Sequence, residues 1–157
     1  MVSFTVYGVP APKGSAKAFY RPGMRHPVVT HDSARTKPWE ALVKAAAVDV
    51  APPCLYDGPV VLSVVFSFAR PKSLPKRIRA CTKRPDLDKL VRVIADALTG
   101  LIWHDDAQLV RIEATKEYAG PQGRPGAKVT VVALRESPAR SGAPLPSPLD
   151  WGASYES

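Results

Sequence analysis

The chain has 157 residues, 45% of them apolar and 23% charged, and a formal net charge of +8. This length suits one domain with a buried core, and no apolar run approaches the ~20 residues of a membrane helix. Residues 1–9 do not read as an export signal, and Cys54 and Cys81 lack metal or redox spacing, so a reducing cytoplasm is expected.

Val2 to Gly8 alternates apolar and polar side chains, which predicts a strand. Residues 9–38 form a long basic segment rich in proline and glycine, expected to be irregular and either functional or disordered. It carries Lys13, Lys17 and Arg21. Phe19, Tyr20 and His26 stand among them, either to meet nucleic acid or to anchor the segment. Pro38 to Val50 predicts a helix, with Trp39, Leu42, Val43 and Ala46 at helical spacing, and Pro52-Pro53 ends it. Pro59 to Phe68 is rich in β-branched residues and predicts a central strand.

A basic loop follows. From 70 to 84 there are seven cations and no acid: Arg70, Lys72, Lys76, Arg77, Arg79, Lys83 and Arg84. A second helix is predicted after Pro85, because Leu87, Leu90, Val91, Ile94, Ala97 and Leu98 form an apolar stripe. Gly100 is its expected stop. Gln108 to Tyr118 alternates as a strand and Lys128 to Leu134 as the last one. The turn-rich residues 119–126 between them predict a hairpin. Proline and serine dominate residues 137–157, too little apolar surface to offset ordering entropy, so a disordered tail is expected. The order of elements predicts a single α+β domain over 1–136, with two helices packed on a mixed or antiparallel sheet.

The charge is unevenly spread. Residues 136–157 are net −2, so the first 135 residues hold 21 basic against 11 acidic residues. Such a field attracts a polyanion, and phosphate backbone is the usual one. Four carboxylates stand against it: Asp86 and Asp88 at the start of the second helix, Asp105 and Asp106 just past its end. Clustered aspartates repel unless a cation neutralises them. With Asp86 in the cap and non-helical, both carboxylates of the first pair can converge, and the partially positive helix end favours their ionised form.

Either pair alone reads as a cap or a turn. Together, beside the basic loop, they read as hard oxygen ligands for Mg²⁺ or Mn²⁺, the ions of phosphodiester cleavage. Asp96 shares a polar helix face with Asp88 and Arg92 and reads mainly as a salt-bridge or packing residue. His104 reads as exposed or hydrogen bonded. Walker A, zinc and nucleophile-elbow patterns are absent, so no nucleotide cofactor is expected.

Three stretches carry a resemblance: Arg84-Pro85-Asp86-Leu87-Asp88-Lys89-Leu90, Asp96-Ala97-Leu98, and Trp103-His104-Asp105-Asp106-Ala107-Gln108-Leu109-Val110, ending near Lys116. In type, order and spacing this pattern resembles the RusA family of Holliday junction resolvases, many of them encoded by phages and prophages. Pro10 to Ser15 and Arg35 to Trp39 are similar to phage members as well. The resemblance implies a small α+β homodimer that binds four-way junctions and nicks two opposing strands with Mg²⁺ or Mn²⁺, in recombination or repair.

The essential aspartates of the family fall on Asp86, Asp88 and Asp106, with Asp105 alongside, as the implied metal ligands. The functional lysine of the family falls on Arg92, which keeps the charge and loses a titratable amine. Lys89 stands where members often have asparagine. Arg92 and Lys116 would stabilise charge at the phosphorus or hold the strand. Lys13, Lys17, Arg21, Lys72, Lys76, Arg77, Arg79, Lys83, Arg84 and Lys89 would grip DNA backbones. Two other readings stand beside this one: a nuclease for flaps, forks or duplex, and a non-catalytic DNA-binding accessory protein whose acids are caps.

Overall fold

In the computed structural model, residues 1–14, 17–19, 23, 28–30 and 34–134 are described. Strand β1 (Val2–Tyr7) buries Val2, Phe4 and Val6 and exposes the residues between them, as its alternation predicts. The segment 9–38, expected to be irregular, holds two short strands. Strand β2 (Lys17–Phe19) pairs antiparallel with β3 (Val28–Thr30) as a separate two-stranded sheet. Val28-Val29-Thr30 is a β-branched run too short to stand out among prolines and glycines.

Helix α1 (Thr36–Val48) starts two residues ahead of its predicted start. Thr36 is buried, and its hydroxyl donates to the Pro12 carbonyl at 2.7 Å, which ties the helix start to the N-terminal segment. Strand β4 (Val60–Phe68) is followed by α2 (Leu87–Leu98), both close to prediction. Thr99 caps α2 in extended conformation and Gly100 follows at φ +76, the left-handed turn that glycine tolerates at a helix end. Strands β5 (Leu109–Tyr118) and β6 (Gly126–Ala133) complete the chain.

The four long strands form a mixed sheet in the order β1-β6-β4-β5. Here the prediction of a hairpin between the last two strands is overturned. Strand β6 runs antiparallel between β1 and β4, while β5 lies parallel to β4 at the outer edge. The burial of the strands explains the order. Alternate residues Val60, Leu62, Val64 and Phe66 of β4 are all but fully buried, and Val61 on its other face is buried too. That strand belongs between two neighbours. Strand β5 leaves Val110 and Ile112 exposed and carries charged residues, so it suits an edge. The 119–125 connection steps over β4, where Ala119 N–H donates to the Phe68 carbonyl at 2.8 Å.

Gly126 is required where β6 meets β1: a Cβ there would lie 2.3 Å from the Val6 carbonyl oxygen. Both helices pack on one face of the sheet, with Trp39, Leu90, Ile94 and Trp103 in the shared core. Among the described residues no helix is long and apolar enough to cross a membrane. The expected tail, residues 137–157, lies outside the described residues.

Candidate active site

Asp86 occupies the N-cap of α2 with extended dihedrals, φ −71 and ψ 138, as its place before the apolar stripe predicts. Its side chain makes no capping hydrogen bond. It turns instead to the Lys89 ammonium at 2.9 Å. That bond and charge, helped by Arg84 and Lys116, hold the exposed carboxyl below its ordinary range. Asp88 lies in the first turn, exposed, with no hydrogen bond or ion pair to another described residue. Arg92 follows one turn later, also exposed and unpaired among the described residues.

The chain then folds back over the end of α2. Ile102 N–H donates to the Leu98 carbonyl and Gly100 N–H to the Trp103 carbonyl, at 2.9 and 2.7 Å. This tight turn buries Trp103 completely. Its indole N–H reaches Thr99 Oγ1 at 3.1 Å and Asp106 Oδ1 at 3.3 Å. The Thr99 hydroxyl lies against the same Asp106 oxygen and against the Ala95 carbonyl at 3.0 Å.

Asp105 and Asp106 are neighbours with different tasks. Asp105 caps the 3-10 turn Asp106–Gln108: its Oδ1 accepts from Ala107 N–H at 2.7 Å, and the Gln108 side chain accepts in return from Asp105 N–H at 3.0 Å. The Gln108 amide also donates to the Tyr56 and Gly58 carbonyls, at 2.7 and 3.0 Å. His104 is exposed and hydrogen bonded to Asp57 at 2.9 Å.

Asp88, Arg92 and Asp106 line one open groove of about 680 Å³ between α2 and β5. Its apolar walls are Leu87, Val91, Ala95, Leu109, Ile112 and Ala114. The expected ligands are Asp86, Asp88 and Asp106, with Asp105 alongside. The groove brings two of them together. Asp86 does not line it, and Asp105 is engaged in its cap. Among the described residues, no three His, Cys, Asp or Glu side chains form a group able to hold an ion. The Asp-x-Asp step places Asp86 before the helix and Asp88 inside its first turn, and of the two only Asp88 lines the groove. Two carboxylates still fit Mg²⁺, which commonly takes one or two protein carboxylates and completes its shell with water and substrate phosphate.

The cations singled out in the sequence fall into two groups. Lys13 pairs with Asp96, 83 residues away, and its N–H donates to the Lys89 carbonyl at 3.1 Å. The polar helix face thus finds its ion-pair partner in the N-terminal segment. The Lys116 ammonium donates to the Lys83 and Pro85 carbonyls, at 2.6 and 2.7 Å. Arg70 donates to the Pro75 and Ile78 carbonyls and stacks over Tyr118. Lys72, Lys76, Arg77, Arg79, Lys83 and Arg84 are exposed, and none forms an ion pair among the described residues. The Lys17 side chain and all of Arg21 lie outside the described residues.

Sequence reasoning singled out neither Thr99 nor Gln108. A threonine ending a helix, four residues before a tryptophan and seven before an aspartate, was the available signal.

Comparison with known proteins supports the sequence pattern. A family model described as endodeoxyribonuclease RusA matches residues 9–132. A protein of Bacillus subtilis (strain 168), described as uncharacterized protein YqaN, is 31% identical over 128 residues, spanning 75% of this chain and 88% of that protein. The match covers both acidic pairs, the groove lined by Asp88 and Asp106, and the basic loop, and this chain belongs to the RusA endodeoxyribonuclease family.

Proposed function

We propose that this protein is a divalent-metal-dependent endonuclease that resolves four-way DNA junctions, nicking two opposing strands as a homodimer. The observation that carries the reading is the groove in which Asp88 and Asp106 meet beside Arg92. Asp88 and Asp106 would hold Mg²⁺ or Mn²⁺, with Asp86 joining them from the start of the same helix. The bound ion supplies Lewis-acid polarisation of a phosphate and a bound water of lowered pKa. Arg92 lies one helical turn from Asp88 and would hold a phosphate oxygen, stabilising negative charge as it builds. Lys116 holds the backbone that leads into Asp86. The exposed cations of the 70–84 loop, with Lys13 and Lys89, supply the surface for DNA backbones.

Two symmetric cuts require two symmetric sites, and a two-fold dimer provides them. The edge strand β5, with exposed Val110 and Ile112, offers apolar surface for such pairing. The protein would act in the cytoplasm, where its DNA substrate is.

A nicking assay tests the reading. A four-way junction is compared with matched duplex and flap, with and without Mg²⁺. Paired nicks in opposing strands of the junction, dependent on Mg²⁺, are expected. Preferential cutting of the flap or duplex would replace the substrate, and binding without cutting would make the protein a DNA-binding accessory.

A further inference from the structure

We propose that Thr99 and Trp103 are positioning residues that aim the Asp106 carboxylate into the groove. The inference rests on the reading above, in which Asp106 helps to hold a divalent ion. A free carboxylate rotates, and two oxygens can then present themselves in many ways. Here Asp106 Oδ1 is taken by the Thr99 hydroxyl and the Trp103 indole N–H. The other oxygen has no hydrogen-bond partner among the described residues, and Asp106 lines the groove with Asp88.

Trp103 makes this arrangement stiff. Its ring is fully buried in the core, so its N–H points from a fixed place. Burial alone does not force the pairing: the equally deep Trp39 leaves its indole N–H without a partner among the described residues. Thr99 has one hydroxyl proton and two acceptors within reach, the Ala95 carbonyl and Asp106. With Asp106 ionised, the charge-assisted bond is the stronger one. The hydroxyl then points away from the helix and towards the carboxylate, while its lone pair accepts from Trp103. A threonine that only closed a helix end would need the Ala95 contact alone.

The test uses the full-length protein and Mn²⁺ alone, with binding followed by electron paramagnetic resonance and folding by thermal melting. Thr99→Val keeps the shape and β-branching and removes the hydroxyl. It should weaken Mn²⁺ binding about tenfold, the low end for losing a group that orients a ligand, and leave the melting temperature in place. Thr99→Ser should restore binding to within about threefold, and Trp103→Phe should weaken it as Thr99→Val does. Wild-type Mn²⁺ affinity in Thr99→Val overturns the inference, whether or not the melting temperature falls, if Asp106→Asn has lost affinity. Wild-type affinity in Asp106→Asn would instead remove Asp106 from the ligand set and overturn the underlying reading too.

Discussion

The two acidic regions at the ends of α2 differ in how they are held. At the start of α2, Asp86 and Asp88 stand exposed, one tied to a lysine and the other untied among the described residues. Past the end of the helix, Asp106 leans on a threonine and on a fully buried tryptophan, while Asp105 locks the turn. The second region is set by folding. The first is held more lightly: Asp86 by one lysine, and Asp88 by no hydrogen bond or ion pair among the described residues. One fixed carboxylate and one adaptable one suit an ion that takes part of its shell from the substrate.

The harshest break of this comparison removes charge from both sides. Asp88→Asn and Asp106→Asn should each lower junction cleavage by at least ~1,000-fold, about 4 kcal/mol of barrier. Binding should be kept or improved, because a negative charge near phosphates is gone. Asp86→Asn is expected to follow them; near wild-type nicking would restrict the ligand set to the two groove aspartates. Gel assays of cutting and of binding, run side by side, check all three.

Stability separates the two regions next. Trp103→Ala should cost about 3–5 kcal/mol in urea unfolding, the usual range for truncating a buried aromatic. Asp88→Ala, on an exposed face, should shift unfolding by less than ~0.5 kcal/mol. Equal losses would mean that the helix start is as tightly built as the turn.

A third experiment moves to the loop. Replacing Lys76, Arg77 and Arg79 with alanine should weaken binding to junction and duplex alike. The log–log salt slope should fall by about 0.9 for each phosphate that is no longer neutralised. An unchanged slope would show that these cations do not meet DNA.

The smallest effect should come from Asp105→Ala. Loss of its cap should cost about 1 kcal/mol, and cleavage should stay within a few-fold of wild type. Loss of cutting comparable to that of Asp106→Asn would mean that Asp105 also binds the ion.

Much of this was readable in the sequence, for physical reasons. Period-two alternation marked β1 and β5, and the i, i+3, i+4 stripe marked α2 almost to the residue. The neighbourhood of Asp88 and Asp106 was legible because one helix and one tight turn leave the returning chain little choice. The sheet order was not. Adjacency in the chain favours a hairpin, but the burial of β4 demands a neighbour on each side, and that competition is settled only when all strands are present. The different surroundings of Asp86 and Asp105 were not legible, for a local reason: adjacent or near-adjacent acids share composition, while their partners, Lys89 for one and the Ala107 N–H for the other, are set by the fold. The Lys13–Asp96 pair was hidden by distance along the chain, since a lone lysine in a basic segment carries no mark of its partner.

The basic loop is anchored at both ends and in its middle. Arg70 closes it on the Pro75 and Ile78 carbonyls. Tyr118 N–H takes the Arg79 carbonyl, and Cys81 N–H takes the Lys116 carbonyl. The Lys116 ammonium fastens the Lys83 and Pro85 carbonyls. The backbone that carries the exposed cations is therefore held at several points. A mobile string of the same residues would settle on any phosphate chain. Under the proposed function, a loop backbone held in this way would favour the DNA path whose phosphates match it, and selection among DNA shapes would begin in carbonyls and ties within the protein.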